Sequence, residues 1–281
     1  MTEMDELLEF GILNIDKPSG PTSFNVSDFV RKKLGIRKTS HFGTLDPKVT
    51  GVLPIALNRA CKLTGYFLGH DKEYVGIARL HKEVPKKKVE EMIKKKFLGV
   101  IKQTPPVRSR VKREEREREI KSFEILEFDE NKKDFLFRVV CQGGTYIRKL
   151  LDDLGTELGV GAHMLELRRI RAGIFREDEK EFVNLYDLEK AIKENKLKDI
   201  LIPAGEALKK IYPVVKVKED LIKNLWDGKP ILEKDLVKKP RVKKGDKVIV
   251  FAGERFIGVY DVLLEENKWA KSEFVMQPLK N

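Results

Sequence analysis

The sequence predicts an α+β fold: residues 1–205 as one domain on a mixed, mainly antiparallel sheet, and residues 211–281 as a small β-rich barrel. Three observations carry this prediction. Strand signals fall in pairs around turns, with amphipathic helical stretches between them. After Pro203 the helical periods fade and short alternating runs take over. A chain of 281 residues, 41% hydrophobic, can bury one large core and one small one.

Gly11 to Asp16 (GILNID) is an apolar run of strand length, and Lys17 to Thr22 (KPSGPT) is a turn rich in Pro and Gly. Ser23 is the expected N-cap of a helix that sets Val26, Phe29, Val30 and Leu34 on one face, with Gly35 as its stop. A basic loop follows to Lys38, and residues 41–51 (HFGTLDPKVTG) show no period. Val52 to Leu57 reads as a strand, and Pro54 within it predicts an edge or a bulge. Asn58 to Leu68 reads as helix and Tyr74 to Leu80 as strand. Val84 to Phe97 suits a helix with Val89, Met92, Ile93 and Phe97 inward. Pro105 and Pro106 break it from a charged stretch, 107–121, whose default reading is a solvated helix or arm. Ile120 to Phe128 and Phe135 to Cys141 form a strand pair about a turn at Asp129 to Lys133. Thr145 to Leu158 is helical, with Ile147, Leu150, Leu151, Leu154 and Leu158 at helical spacing. Leu165 to Ile170 reads as strand and Leu185 to Ile192 as helix. In the tail a turn at Lys243 to Asp246 opens three strand-like runs, VIVFAG, RFIGVYDVLL and WAKSEFV.

Lys and Arg number 57 against 45 Asp and Glu, a formal charge of +12. Such an excess favours a polyanionic partner, with nucleic acid ahead of a membrane surface. No helix-turn-helix or zinc pattern points to DNA. Cys61 and Cys141 form no CxxC pair, so reduced core thiols are expected rather than a zinc site or a disulfide. His70 and His81 lack ligand spacing. No apolar run approaches membrane-spanning length, and the acidic start MTEMDELLEF has no signal-peptide character, so a cytoplasmic protein is expected.

The most unusual segment is 41–51, where Asp46 stands between Leu45 and Pro47 and is framed by Gly43 and Gly51. Pro47 restricts the backbone at Asp46, and a fixed carboxylate with apolar neighbours can act as nucleophile or base. Alone, the segment reads more readily as a turn that Asp46 opens. It also faintly echoes the aspartyl-phosphate motif of ion pumps, but Pro47 and Val49 interrupt that pattern and no partner motif follows.

Five segments taken together outweigh the turn reading: GILNIDKPSGPTS (11–23), TSHFGTLDPKVTGVLPIAL (39–57), KEYV (72–75), GGTYIRKLLDDLG (143–155) and GAHMLELRR (161–169). In order and spacing they resemble the TruB/dyskerin family of pseudouridine synthases over roughly residues 10–190, closest to its archaeal and eukaryotic dyskerin branch. PPVRSRVKRE (105–114) resembles that branch's basic connector. The resemblance implies the pseudouridine synthase fold and assigns roles by position. Asp46 matches the nucleophile, and Arg148 the arginine that pairs with it. Tyr74 matches the tyrosine that stacks on the base and is implicated in removing the C5 proton. Leu167 matches the apolar wall of the uracil pocket. His41 matches the histidine that fills the gap left by a flipped base. Lys17, with Pro18, belongs to the motif that supports the floor of the site, and is expected with His41 and Leu167 on the substrate side. The tail resembles a PUA domain, with KKGDKVIV and RFIGVYDV its best matches.

The chemistry fits these residue types. Isomerising uridine breaks a C–N glycosidic bond, turns the base and rejoins it through C5, so no cofactor and no metal are expected. A flat uncharged base suits an aromatic face and an apolar wall, and a target in folded RNA must leave its stack. A guanidinium such as Arg148 would hold a partly desolvated Asp46 charged. Arg168, Arg169 and Arg171 read either as phosphate contacts or as partners of nearby acids. The resemblance implies two sets of partners: tRNA, modified at its T-arm uridine, and H/ACA guide RNA, rRNA and the small protein subunits of the H/ACA ribonucleoprotein. The competing class is an RNA-binding scaffold without chemistry, and the intact Asp46, Tyr74 and Arg148 set argues against it.

Overall fold

The computed structural model describes residues 2–105 and 112–278, and the chain divides into two compact units, Met1–Ile202 and Pro203–Asn281. The expected basic connector at 105–114 falls largely on 106–111, outside the described residues.

The first unit begins with α1 (Glu3–Phe10), β1 (Gly11–Lys17), α2 (Ser23–Lys33), β2 (Thr39–His41), β3 (Thr50–Leu57), α3 (Thr64–Leu68) and β4 (Lys72–Leu80). It continues through α4 (Lys86–Lys96), β5 (Gly99–Gln103), β6 (Arg116–Phe128), β7 (Asp134–Cys141), α5 (Ile147–Glu157) and β8 (Ala162–Ala172). The short β9 (Phe175–Arg176), β10 (Phe182–Val183), α6 (Leu185–Lys193) and β11 (Leu201–Pro203) complete it. These strands form one mixed sheet in the order β10-β1-β3-β8-β4-β7-β6-β5, with β11 on β1, β2 on β3 and β9 on β8. The pairs β1–β10 and β3–β8 are parallel, and the long ladders β1–β3, β4–β8, β4–β7 and β6–β7 are antiparallel.

Two of the hydrophobic cores among the described residues lie along this sheet. One packs α4 and α5 against β4, β6 and β7 through Val89, Ile93, Phe137, Val139, Leu150 and Leu154. The other packs α2 and α6 against β1 and β3 through Val26, Val30, Ile15, Ile55 and Leu188. The two halves join where β3 meets β8, over only Thr50↔Arg168 and Gly51↔Arg169. The chain segment carrying Asp46 enters β3 at this seam.

Four local readings change. The N-cap of α2 is Thr22, in a capping box with Asn25, which leaves the Ser23 hydroxyl free for another task. Pro54 lies in an interior strand, between β1 and β2. Its carbonyl accepts from Phe42 N at 2.9 Å, and with no N–H to return it ends the β2 ladder just after His41. The charged stretch from Arg116 is β6 rather than a helix or arm, its charges alternating outward along a strand. Asn58–Leu63 is a 3-10 turn that precedes the short α3.

The second unit contains α7 (Ala204–Lys209), β12 (Val214–Val217), α8 (Ile222–Trp226), β13 (Lys247–Ala252), β14 (Arg255–Glu265) and β15 (Lys268–Val275). Its sheet runs β12-β13-β14-β15. Residues 231–237 tie its two edges together. Ile231 N donates to Ala270 O on β15 at 2.9 Å, and Val237 N donates to Lys216 O on β12 at 3.0 Å. Both edge strands are thereby covered, which makes the sheet barrel-like. The sequence reading leaves 206–210 between the domains, but α7 packs with this unit: Lys209 Nζ sits 4.4 Å from the Phe251 ring centroid and Gly205 lies against Phe256.

Candidate active site

The loop between β2 and β3 is held by three buried side chains from three other places in the fold. Ser23 Oγ donates to Leu45 O at 3.0 Å and accepts from Leu45 N at 2.8 Å. Lys17 Nζ donates to Pro18 O, Pro47 O and Val49 O at 2.8, 2.9 and 2.9 Å. Arg169 donates to Gly43 O at 3.0 Å and to Val52 O at 2.8 Å. The main chain is thus fixed on both sides of Asp46, and the Asp46 carboxylate projects from it. Gly51 is required at the loop's exit: its φ is +99°, and a Cβ there would lie 2.2 Å from Arg169 O.

Asp46 Oδ2 meets Arg148 Nε at 2.7 Å. Arg148 is the second residue of α5, and the buried Gln103 fixes the start of that helix. Its Oε1 accepts from Tyr146 N at 3.0 Å and its Nε2 donates to Tyr146 O at 3.2 Å. The pair opens onto a cleft of about 650 Å³ that Lys72, Tyr74, Leu167 and Arg169 also line. Tyr74 comes from β4 and Leu167 from β8, giving the cleft an aromatic and an apolar wall. Asp46 and Arg148 are 46% and 51% exposed. Asp46 is thus only partly desolvated, and a ligand seated in the cleft would remove more of its water.

The sequence-predicted residues divide into two groups. Asp46, Tyr74, Arg148 and Leu167 line one cleft. Lys17 and His41 do not line it. Lys17 is fully buried, so it acts as a support for the loop and not as a substrate contact. Burial lowers its pKa, and the nearby Asp46 charge works the other way. His41 ends β2 with its Nε2 3.1 Å from Thr44 Oγ1, so it reaches the site through a cleft-lining neighbour. Burial, and then Arg169, lowers the pKa of its imidazole. Burial also raises the Tyr74 phenol, against the pull of Arg169, so Tyr74 is a neutral ring at ordinary pH. Cys61 and Cys141 are buried free thiols.

Ser23, Lys72, Gln103 and the role of Arg169 escape sequence reasoning. The three arginines of β8 go to different places because the strand carries a bulge. Tyr74 pairs with Arg169 and Glu73 with Arg171, leaving Ile170 unpaired. Arg168 pairs with Asp16 at 2.9 Å and Glu177 at 2.7 Å, and Arg171 with Glu73 at 2.9 Å. Arg169 alone turns to the cleft. The only sequence signal was the basic run itself.

Residues 31–147 match the N-terminal domain of the TruB family pseudouridylate synthases, and residues 148–209 match the C-terminal domain of tRNA pseudouridylate synthase B. The probable tRNA pseudouridine synthase B of Nanoarchaeum equitans is 43% identical over 256 residues, covering 88% of this chain and 71% of that protein. Its counterpart in Thermococcus onnurineus is 44% identical over 254 residues, covering 88% and 75%. Of the solved structures, a Cbf5-Nop10-Gar1 complex matches with a TM-score of 0.86 at 34% identity, over 98% of this chain and 88% of that one. An H/ACA ribonucleoprotein bound to a substrate RNA containing 2′-deoxyuridine matches with a TM-score of 0.86 at 32% identity, over 99% and 88%. Fold and site thus define an RNA-modifying enzyme, a pseudouridine synthase. Within that class, the chain belongs to the TruB family.

Proposed function

We propose that Asp46 is the nucleophile with which this chain isomerises uridine in RNA, and that the T-arm uridine of tRNA is a direct substrate. The observation that carries the reading is the Asp46–Arg148 pair at the mouth of a cleft walled by Tyr74 and Leu167. Arg148 keeps the carboxylate aimed as the entering base strips water from it. Tyr74 supplies a ring face for the uracil and Leu167 closes its other side. As a neutral phenol, Tyr74 takes the C5 proton only insofar as Arg169 favours its phenolate. His41, next to the rim, fills the space that a flipped T-loop base vacates.

A guide-directed route is the second reading, favoured by the likeness to the Cbf5-Nop10-Gar1 and H/ACA structures. In it the chain acts on rRNA uridines selected by an H/ACA guide RNA, together with small protein subunits, and the second unit serves as a PUA-like anchor for the guide. The catalytic domain then corresponds to the first unit, in a cytoplasmic enzyme. The test is incubation of the purified protein with a tRNA transcript, without guide RNA, followed by pseudouridine mapping. Modification at the T-arm uridine supports direct action. Modification only after guide RNA and subunits are added supports the guided route alone. No product under either condition overturns both.

A further inference from the structure

Lys72 and Arg169 are, among the described residues, the two buried cations that line the cleft, at 4% and 1% exposure. Among the described residues neither has a carboxylate partner. Lys72 Nζ donates to the main-chain carbonyls of His70 at 2.7 Å and Leu68 at 3.3 Å. Arg169 donates to those of Val52 and Gly43. The other buried or half-buried arginines of β8 are each matched to an acid. Burying two like charges side by side is costly, and carbonyl dipoles offset it only in part. Lys72 stands two residues from Tyr74 on β4, and Arg169 two residues from Leu167 on β8, so each cation shares the face of a wall of the base pocket. With the Asp46 carboxylate of the cleft paired to Arg148, two buried cations held by main-chain carbonyls suit a negative charge that arises inside the cleft.

We propose that Lys72, with Arg169 beside it, stabilises the negative charge that develops on the uracil ring during isomerisation. This rests on the reading of the cleft as the uridine site. The incoming base is neutral. If Asp46 adds to C6, the C5–C6 electron pair moves onto O4. If the C1′–N1 bond breaks first, its pair stays on the ring, spread over N1 and the carbonyl oxygens. On the first route the enolate takes up a proton before the C1′–N1 bond breaks with its pair left on N1, so the ring never carries more than one negative charge, and Asp46 leaves C6 as C5 loses its proton. On the second the charge is lost when C5 bonds to C1′, after which the C5 proton leaves and N1 takes one up. A cation fixed in a dry floor acts on that charge and hardly on the neutral base, so it lowers the barrier without tightening binding. An RNA phosphate held at the same place would instead be bound before reaction, and its loss would show in affinity and salt dependence.

The experiment is single-turnover pseudouridine formation at saturating tRNA by the parent, Lys72→Met, Lys72→Arg and Asp46→Asn across pH 6.5 to 9.5, roughly the span over which a perturbed lysine titrates, with RNA affinity measured alongside. Burial, and then Arg169, holds the Lys72 ammonium at about 8; Arg171 on β8, Cys141 on β7 and Asp71 also face it. The charge is complete below that pH, so the parent rate is full there and falls above it. Lys72→Met is expected to slow the reaction on the order of 100-fold, to keep the parent's RNA affinity and to lose the alkaline fall. Lys72→Arg, which stays charged, is expected to retain part of the rate and to move the fall to higher pH. A Lys72→Met rate within about twofold of the parent, or weaker binding with an unchanged saturated rate, overturns the proposal. Should Lys72→Met fail to melt cooperatively, Lys72→Arg decides: an unmoved alkaline fall overturns it. Asp46→Asn separates the two failures, because activity in that variant refutes the nucleophile reading and not the role of Lys72.

Discussion

Two carboxylate–arginine sites lie on opposite faces of one stretch of sheet and have opposite fates. Glu73 is 5% exposed, and each of its oxygens is occupied: Oε1 accepts from Arg138 Nε at 2.7 Å and Oε2 from Arg171 Nε at 2.9 Å. Burial raises its pKa, and the hydrogen bonds from Arg171 and Arg138 more than reverse this, leaving a net lowering. Asp46 is half exposed, has Arg148 as its one ion-pair partner among the described residues, and faces the cleft. Both sites combine the same groups. The closed one has its acceptor capacity filled, whereas the open one keeps unfilled capacity on a fixed loop, which is what the proposed nucleophile requires.

The comparison predicts that the two sites can be broken separately. The largest effect is expected from Asp46→Asn: loss of turnover by at least ~10³-fold, with RNA affinity within about twofold and no loss of thermal stability. Quantitative pseudouridine mapping and filter binding check it. Next is Arg148→Lys, expected to slow the saturated rate by about 10- to 100-fold, since a lysine lacks the planar fork that orients a carboxylate. An Arg148→Lys rate equal to the parent's would show that the pair needs charge alone.

Glu73→Gln should do the reverse. It is expected to cost about 1–3 kcal/mol of stability, the low end for a buried pair because Arg138 is half exposed, while leaving chemistry in place. The Glu73 pKa is lower in the folded state than in the unfolded one, so its contribution is complete above pH about 4.5 and shrinks as pH falls further. Paired thermal melts of parent and variant should therefore converge in acid. Ending the chain after Ile202, rather than at the sequence-based boundary near Ile211, removes α7 with the unit it packs against. The first unit is expected to melt cooperatively, bind RNA more weakly with a shallower salt dependence, and keep its chemistry at saturation. The smallest effect is expected from His41→Ala, a several-fold slowing on a tRNA T-loop and less on a guide-held, already unpaired uridine. Equal slowing on both substrates would remove His41 from the base-flipping step.

Much of the open site was legible in the sequence and little of the closed one. Asp46, Arg148, Tyr74 and Leu167 stand in motifs whose order and spacing survive reading by eye, and long periodic elements such as α4, α5 and β7 announce themselves. The supports do not. Ser23 reads as a helix cap until the capping box of Thr22 and Asn25 shows that its hydroxyl serves Leu45. Pro54 reads as an edge signal, although it ends a neighbour's ladder from inside the sheet. Strands of two to five residues, such as β2, β5 and β9, are too short to show a period. The destinations of Arg168, Arg169 and Arg171 depend on a bulge at Ile170, a property of pairing with β4 that no local pattern encodes.

On the proposed reading, the unfilled carboxylate of Asp46, and not the satisfied one of Glu73, does the chemistry. Single-turnover pseudouridine formation on one saturating tRNA preparation, by Asp46→Asn and Glu73→Gln side by side and each with its melting curve, tests it most directly. The Asp46 variant is expected to be stable and inactive, and the Glu73 variant less stable and active. An active Asp46→Asn protein, or a fully stable Glu73→Gln protein that forms no pseudouridine, would contradict it.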